Sequence, residues 1–283
     1  NKISVFSNFC IDTNERLSRM KDSFNSFKKA NISDWCLNIR GQLKNEAKYF
    51  FEKNIEQEFK IFHHESNEGW AQDTEKILPL LKSKLIFVWI EDHICIKKFI
   101  EINQIIEEMY ENNIDYLKYT FFSNKADFPK IKYVKYKDNK KTYSFNLNDE
   151  NYEKIKIGYK NDKIKPNYLI SMPCIMSVDL FKKNLSITKK KEKYEAHLPF
   201  NFERTFLETE IMPFENSLLK EELFVPIDDD KDIPNSSLIG RGLYKERTKR
   251  SELNEFRDQT HGYYKKINFF KKIINFIKKQ IKF

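Results

Sequence analysis

Leu85-Ile-Phe-Val-Trp-Ile90-Glu-Asp-His93 is the stretch on which the fold reading turns. It opens with an unbroken apolar run, β-branched or aromatic after the leading Leu85, and shows no polar alternation. Such a run is expected of a strand buried on both faces, as in a parallel sheet covered by helices. The run stops abruptly in two carboxylates and an imidazole. Ligands of open parallel sheets bind beyond the carboxyl ends of the strands, so Glu91, Asp92 and His93 stand where chemistry is expected. Adjacent carboxylates are costly unless solvated or paired with a cation. Carboxylate oxygens and an imidazole nitrogen suit Mn²⁺ or Mg²⁺ bridging a diphosphate, which makes Glu91 and His93 candidate ligands of a divalent cation. The plain alternative is a solvated strand end.

Three strand–helix units precede this run. Ile3 to Phe9 is a strand and Glu15 to Ala30 a helix with Leu17, Met20, Phe24 and Phe27 on one face. Trp35 to Ile39 is a second strand, followed by a helix over Gln42 to Gln57. Glu58 to His63 is a third strand, followed by a helix over Asp73 to Lys82. Repeated alternation of this kind gives an α/β, Rossmann-like domain with a mostly parallel central sheet flanked by helices. Further on, Ile131 to Phe145 reads as an antiparallel hairpin, 146–166 as polar loop, Tyr168 to Met172 as a strand, Val178 to Asn184 as a short helix, and Pro226 to Arg250 as a charged loop.

Composition narrows the function classes. The 283 residues carry 51 Lys and Arg against 42 Asp and Glu, a net +9. Residues 265–283 hold seven lysines and no acid, leaving 44 bases against 42 acids elsewhere. A nearly neutral body does not suggest a nucleic-acid-binding surface. Cys10, Cys36, Cys95 and Cys174 have no zinc-ribbon spacing and read as buried thiols. His63 and His64 are adjacent on a strand and point to opposite faces, so they do not pair on one ion. No run of about 18 apolar residues is present, and no membrane span is expected.

The strand ends converge on one sheet edge: Asn8 and Arg16 after the first, Asn38 and Arg40 after the second, Gly69 and Asp73 after the third. Polar groups gathered there could hold a base, a ribose and phosphates. Loop solvation is the alternative for each taken alone.

On these residues the chain resembles the GT-A glycosyltransferases. Ile3-Ser-Val-Phe-Ser-Asn8, with Arg16-Leu17, is similar to the opening of many bacterial members. Asn38-Ile-Arg-Gly41 sits where the family carries an acidic pair and glycine, and Gly69-Trp-Ala-Gln-Asp73 resembles its glycine-containing turn and helix. Glu91-Asp92-His93 sits at the Asp-x-Asp motif. The resemblance covers residues 3–95 and, loosely, 170–210. It implies a nucleotide-sugar donor held by Asn8, Arg16, Asn38, Arg40, Gly69, Glu91 and Asp92, a cation on Glu91 and His93, and inverting transfer to a glycan or lipid-linked acceptor of the bacterial surface. Glu203, in Pro199-Phe-Asn-Phe-Glu203-Arg204, matches the family's general base. Ser171 to Asp179 resembles its acceptor-side segment. His261 is a candidate to reach the diphosphate. Acids at Asn38 and Arg40 and aspartates at Glu91 and His93 are replaced here.

Ile267, Phe270, Ile274, Ile277 and Ile281 recur at helical spacing, with lysines over the remaining surface. A basic amphipathic helix of this kind is expected to lie on an anionic membrane. The expected organisation is therefore a catalytic domain over 1–245 and a linker with a membrane-associating helix over 246–283, facing the cytoplasm. A non-catalytic scaffold on the same fold, and a nucleic-acid binder using the tail, are the alternatives.

Overall fold

The computed structural model describes residues 1–64, 70–120, 128–164, 169–191, 211–228 and 236–244. The chain divides at Leu243, and every described element lies in the unit Asn1–Leu243. Among the described residues no helix is long and apolar enough to cross a membrane.

The elements in chain order are β1 (Ile3–Cys10), α1 (Asn14–Phe27), β2 (Ile32–Arg40), α2 (Lys44–Asn54), β3 (Glu58–Phe62), α3 (Trp70–Ile77), β4 (Leu85–Val88), β5 (His93–Cys95), α4 (Phe99–Glu111), β6 (Tyr116–Lys118), β7 (Lys137–Asp138), β8 (Thr142–Leu147), α5 (Asp149–Asn161), β9 (Cys174–Ser177), α6 (Val178–Lys191), β10 (Phe214–Leu219) and β11 (Phe224–Pro226). Nine strands form one sheet in the order β3-β2-β1-β4-β9-β6-β10-β8-β7. β3, β2, β1 and β4 are mutually parallel, β6 is parallel to β10, and β9, β8 and β7 pair antiparallel. The expected parallel half is present, and the later strands make the sheet mixed.

Strand parity assigns the two faces. Val5 and Phe9 of β1 pack with α1, α2 and α4 through Met20, Phe24, Phe51, Ile102 and Ile106. Phe6, between them, packs with α3, α5 and α6 through Trp70, Tyr159 and Phe181. The result is a three-layer sandwich with helices on both sheet faces.

Three elements differ from the sequence reading. Residues 149–161 form a helix where loop was expected, started by Asn148, whose side-chain oxygen accepts the Asn151 N–H at 2.9 Å. Its buried stripe is only Ile155, Gly158 and Tyr159, set among charged residues. The strand expected at 168–172 lies instead at Cys174–Ser177, and the helix after it runs to Lys191 rather than Asn184. A three-residue strand, β11, that the sequence reading did not include ends at Pro226, where the charged loop was expected to begin, and pairs with β5.

The first core is knotted around Trp89, just past β4. Its indole meets Phe9 edge-on at 5.3 Å between centroids, Phe27 at 5.4 Å, Phe51 at 5.8 Å and Trp35 at 6.0 Å. It also donates Nε1–H to Ser23 Oγ at 2.8 Å, while its backbone N–H continues the ladder to the Phe6 carbonyl at 2.8 Å. Edge-to-face pairs add stability beyond the area they bury. Trp89→Ala is expected to cost about 3–5 kcal/mol by urea denaturation, and Trp89→Phe distinctly less because most of the ring volume is kept. A cost below about 1 kcal/mol for the alanine variant would show that the knot is not a main support.

Candidate functional site

Chain order sets the location. From β1 the chain builds outward through β2 to β3, then returns to place β4 on the other side of β1. β1 and β4 therefore diverge at their carboxyl ends, the switch point at which open α/β sheets bind ligands. Phe6 lies level with Val88, so the segments 7–16 and 89–93 flank this point.

The β1–α1 connection delivers a guanidinium. Thr13 caps α1, its hydroxyl accepting the Arg16 N–H at 3.2 Å, which fixes Arg16 in the first turn. Arg16 reaches across to Glu91, donating Nε–H to Oε1 at 3.0 Å and a second hydrogen bond from Nη2 to the same oxygen. Glu91 is 5% exposed. Burial opposes the charge on Arg16, but the Glu91 carboxylate outweighs it and holds the guanidinium firmly protonated. Only part of the five-donor fork is used on Glu91, and the Arg16 side chain stays 40% exposed.

Asp92 and His93 form the second pair. The imidazole Nδ1 and Asp92 Oδ1 are 2.7 Å apart. Burial raises the Asp92 carboxyl, but His93, Arg16 and Arg19 outweigh it and hold it down at about 2. His93 is 3% exposed and starts β5, with its carbonyl accepting Ser23 Oγ–H at 2.5 Å. The triplet thus sits at the carboxyl end of a central strand, committed to protein partners.

Those contacts define what each group still offers. The oxygen of Glu91 nearest Arg16 is spanned by the guanidinium, and His93 is buried with its Nδ1 on Asp92. Among the described residues no three carboxylate, imidazole or thiol groups converge on a common point. Oε1 of Glu91 and Nδ1 of His93 are thus engaged by protein groups, and the cation beside Glu91 in this structure is the Arg16 guanidinium.

A second guanidinium flanks the first. Arg40 ends β2 level with Cys10, and its Nε is buried with no hydrogen-bond partner among the described residues. The connection after it is tight. Gly41 has φ +98, and a Cβ there would lie 2.5 Å from Asp12 Oδ1 and from the Ile11 carbonyl oxygen, so only glycine fits. Cys10 donates Sγ–H to Asp12 at 3.0 Å, and burial, with that hydrogen bond, pushes its thiol up to about 12. It is a neutral donor here, not a nucleophile.

The two asparagines brace these strand ends. Asn38 donates to Asn8 Oδ1 at 3.0 Å, and its own oxygen accepts the His64 N–H at 2.9 Å. Asn8 donates to Thr74 Oγ1 at 3.1 Å and to the Trp70 carbonyl at 3.3 Å, tying β1 and β2 to the start of α3. Asp73, in the same helix, is fully buried, with neither carboxylate oxygen hydrogen-bonded among the described residues and Lys76 Nζ 3.8 Å from Oδ1. A buried carboxylate without a donor is costly. Gly69, Glu203 and His261 lie outside the described residues.

The sequence reading missed Arg19. It is 6% exposed, donates to Glu15 at 3.0 Å and pairs with Asp228 at 2.9 Å. Together with the Ile227 N–H to Asp92 carbonyl bond at 2.8 Å, this fastens the β11 segment over the triplet. The i,i+4 spacing of Glu15 and Arg19 was the available signal; Asp228, over 200 positions away, gave none.

No protein-family model matches the chain, and no curated protein matches it in sequence. Among solved structures it is similar to S. aureus TarS 1-349, with a TM-score of 0.50 and 11% identity, over 79% of this chain and 60% of that one. It is similar in the same way to TarS 1-349 in complex with UDP-GlcNAc, with a TM-score of 0.50 and 11% identity, over 81% of this chain and 59% of that one. The chain thus spans about three-fifths of the length of the TarS chains it matches. At this identity the likeness shows the fold: the chain has the α/β GT-A fold, with a mostly parallel central sheet flanked by helices.

Proposed function

We propose that the chain is a glycosyltransferase that takes a sugar from a nucleoside diphosphate donor bound where β1 and β4 diverge. The observation that carries this is the pair of arginines at the switch point of a GT-A fold. Arg16 is held by Glu91 with part of its donor fork still available, and Arg40 has a buried, unbonded Nε. Guanidinium groups bind phosphate oxygens with directed, charge-assisted hydrogen bonds. TarS carries UDP-GlcNAc on this fold, which makes a uridine diphosphate sugar the first donor to test.

The reaction is a single displacement with inversion. An acceptor hydroxyl oxygen bonds to the anomeric carbon as the bond from that carbon to the diphosphate oxygen breaks. The hydroxyl proton passes to a carboxylate, for which Glu203 is the candidate. The leaving diphosphate keeps the electron pair, and its charge is met by Arg16 and Arg40. No step runs through a metal ion. The acceptor is a glycan, free or lipid-linked, of the bacterial surface.

Titration calorimetry with UDP tests this reading. Binding is expected to persist in EDTA within about threefold of its value with Mn²⁺, and to weaken about tenfold in Arg16→Ala and in Arg40→Ala. Glu203→Gln is expected to bind UDP like the parent while losing transfer from UDP-sugars. No UDP binding, or two arginine variants that bind like the parent, would overturn the donor site. Transfer retained within a few-fold by Glu203→Gln would assign the base to another residue.

We also propose that residues 265–283 bind an anionic membrane at the cytoplasmic face, on the strength of seven lysines, no acids and a helical apolar stripe. Removal of 265–283 should lower co-sedimentation with phosphatidylglycerol vesicles at low salt and leave the thermal midpoint of the remainder nearly unchanged. A truncated chain that still pellets, or that melts far lower, argues instead for a helix packed on the domain.

A further inference from the structure

Few large apolar side chains are left exposed among the described residues, and three fall within five positions. Ile96, Phe99 and Ile100 are 42%, 45% and 50% exposed. They occupy the link from β5 into the first turn of α4, with Lys97 and Lys98 between them. The end of α1 runs alongside: Cys95 N–H donates to Ser26 Oγ at 2.9 Å, and Asn31 N–H to Asn103 Oδ1 at 2.7 Å. That segment brings Lys28 and Lys29. Lys97 is paired with Glu221 at 2.7 Å. No acid pairs with Lys28, Lys29 or Lys98 among the described residues, and Lys29 and Lys98 are exposed.

Exposed apolar tips ringed by uncompensated amines match one kind of partner. An acidic protein would account for the lysines, but not for a Phe and two Ile exposed beside them at a helix start. A second copy of this chain would set the same lysines against each other across a two-fold contact. The interface of an anionic bilayer takes both parts, with apolar side chains entering between lipids and amines at the phosphates.

We propose that Ile96, Phe99 and Ile100, with Lys28, Lys29 and Lys98, form a contact for an anionic lipid surface. It lies on the α1/α4 face of the domain and does not depend on the glycosyltransferase reading. Two weak anchors on one chain reinforce each other without new contacts, because engagement of one raises the local concentration of the other.

The test is co-sedimentation of the full chain with vesicles of phosphatidylcholine and phosphatidylglycerol, and of phosphatidylcholine alone. Phe99→Ser/Ile100→Ser is expected to lower the partition coefficient on the anionic vesicles about tenfold. Lys98→Glu is expected to lower it about fivefold at low salt, with the difference vanishing at high salt. Ile157→Ser is the control: it removes an Ile that is 59% exposed on α5, across the sheet, and should change nothing. The proposal is overturned if the double variant partitions like the parent, or if Ile157→Ser loses as much. It is equally overturned if sedimentation velocity shows a self-associating parent that the double variant converts to monomer.

Discussion

The position of everything at the carboxyl edge depends on how Trp89 is held. β4 ends at Val88, and the next residue turns its indole into rings from α1, β1, β2 and α2. The same residue keeps a sheet hydrogen bond to β1 and an indole hydrogen bond to Ser23. Ser23 in turn donates to the His93 carbonyl, so one serine joins both ends of the segment 89–93 to α1. With both ends fixed, the residues between them have little freedom, and Glu91 is presented to Arg16 from the same helix.

Electrostatics then follow from geometry. A buried Glu91 without a cation would be expensive, and Arg16 supplies the cation from a capped helix start. Asp92 is held ionised by the imidazole beside it and by two arginines. Glu91 is paired with Arg16, Asp92 with His93, and Glu15 and Asp228 with Arg19, while part of the Arg16 fork and the Nε of Arg40 remain as donors without an acceptor among the described residues. Unused guanidinium donors suit the oxygens of a diphosphate. A divalent cation would have to compete with Arg16 for Oε1 of Glu91.

The order of strands and helices through β4 was legible in the sequence because each element carries a strong pattern. Leu17, Met20, Phe24 and Phe27 mark one helix face, and 85–90 reads as a strand buried on both sides. The convergence of strand ends was legible for the same reason. Helix α5 was not: its buried stripe is small, interrupted by Gly158 and surrounded by Lys and Glu, so the apolar period is faint. Side-chain partners were the least legible. Asn8 and Asn38 stand at the expected strand ends, yet their amides brace β1, β2 and α3, a matter of register and rotamer that spacing does not encode. Arg16 and Glu91 are 75 positions apart and Arg19 and Asp228 farther still, so neither pairing leaves a local trace.

The central claim is that a nucleoside diphosphate is received between the segments after β1 and β4. Hydrogen exchange of the full chain with and without UDP measures this segment by segment. The account predicts slower exchange confined to residues 10–16, 40–43 and 89–93, with α5 and the β7–β8 hairpin unchanged. Protection that falls elsewhere while these three segments exchange at the same rate would contradict it.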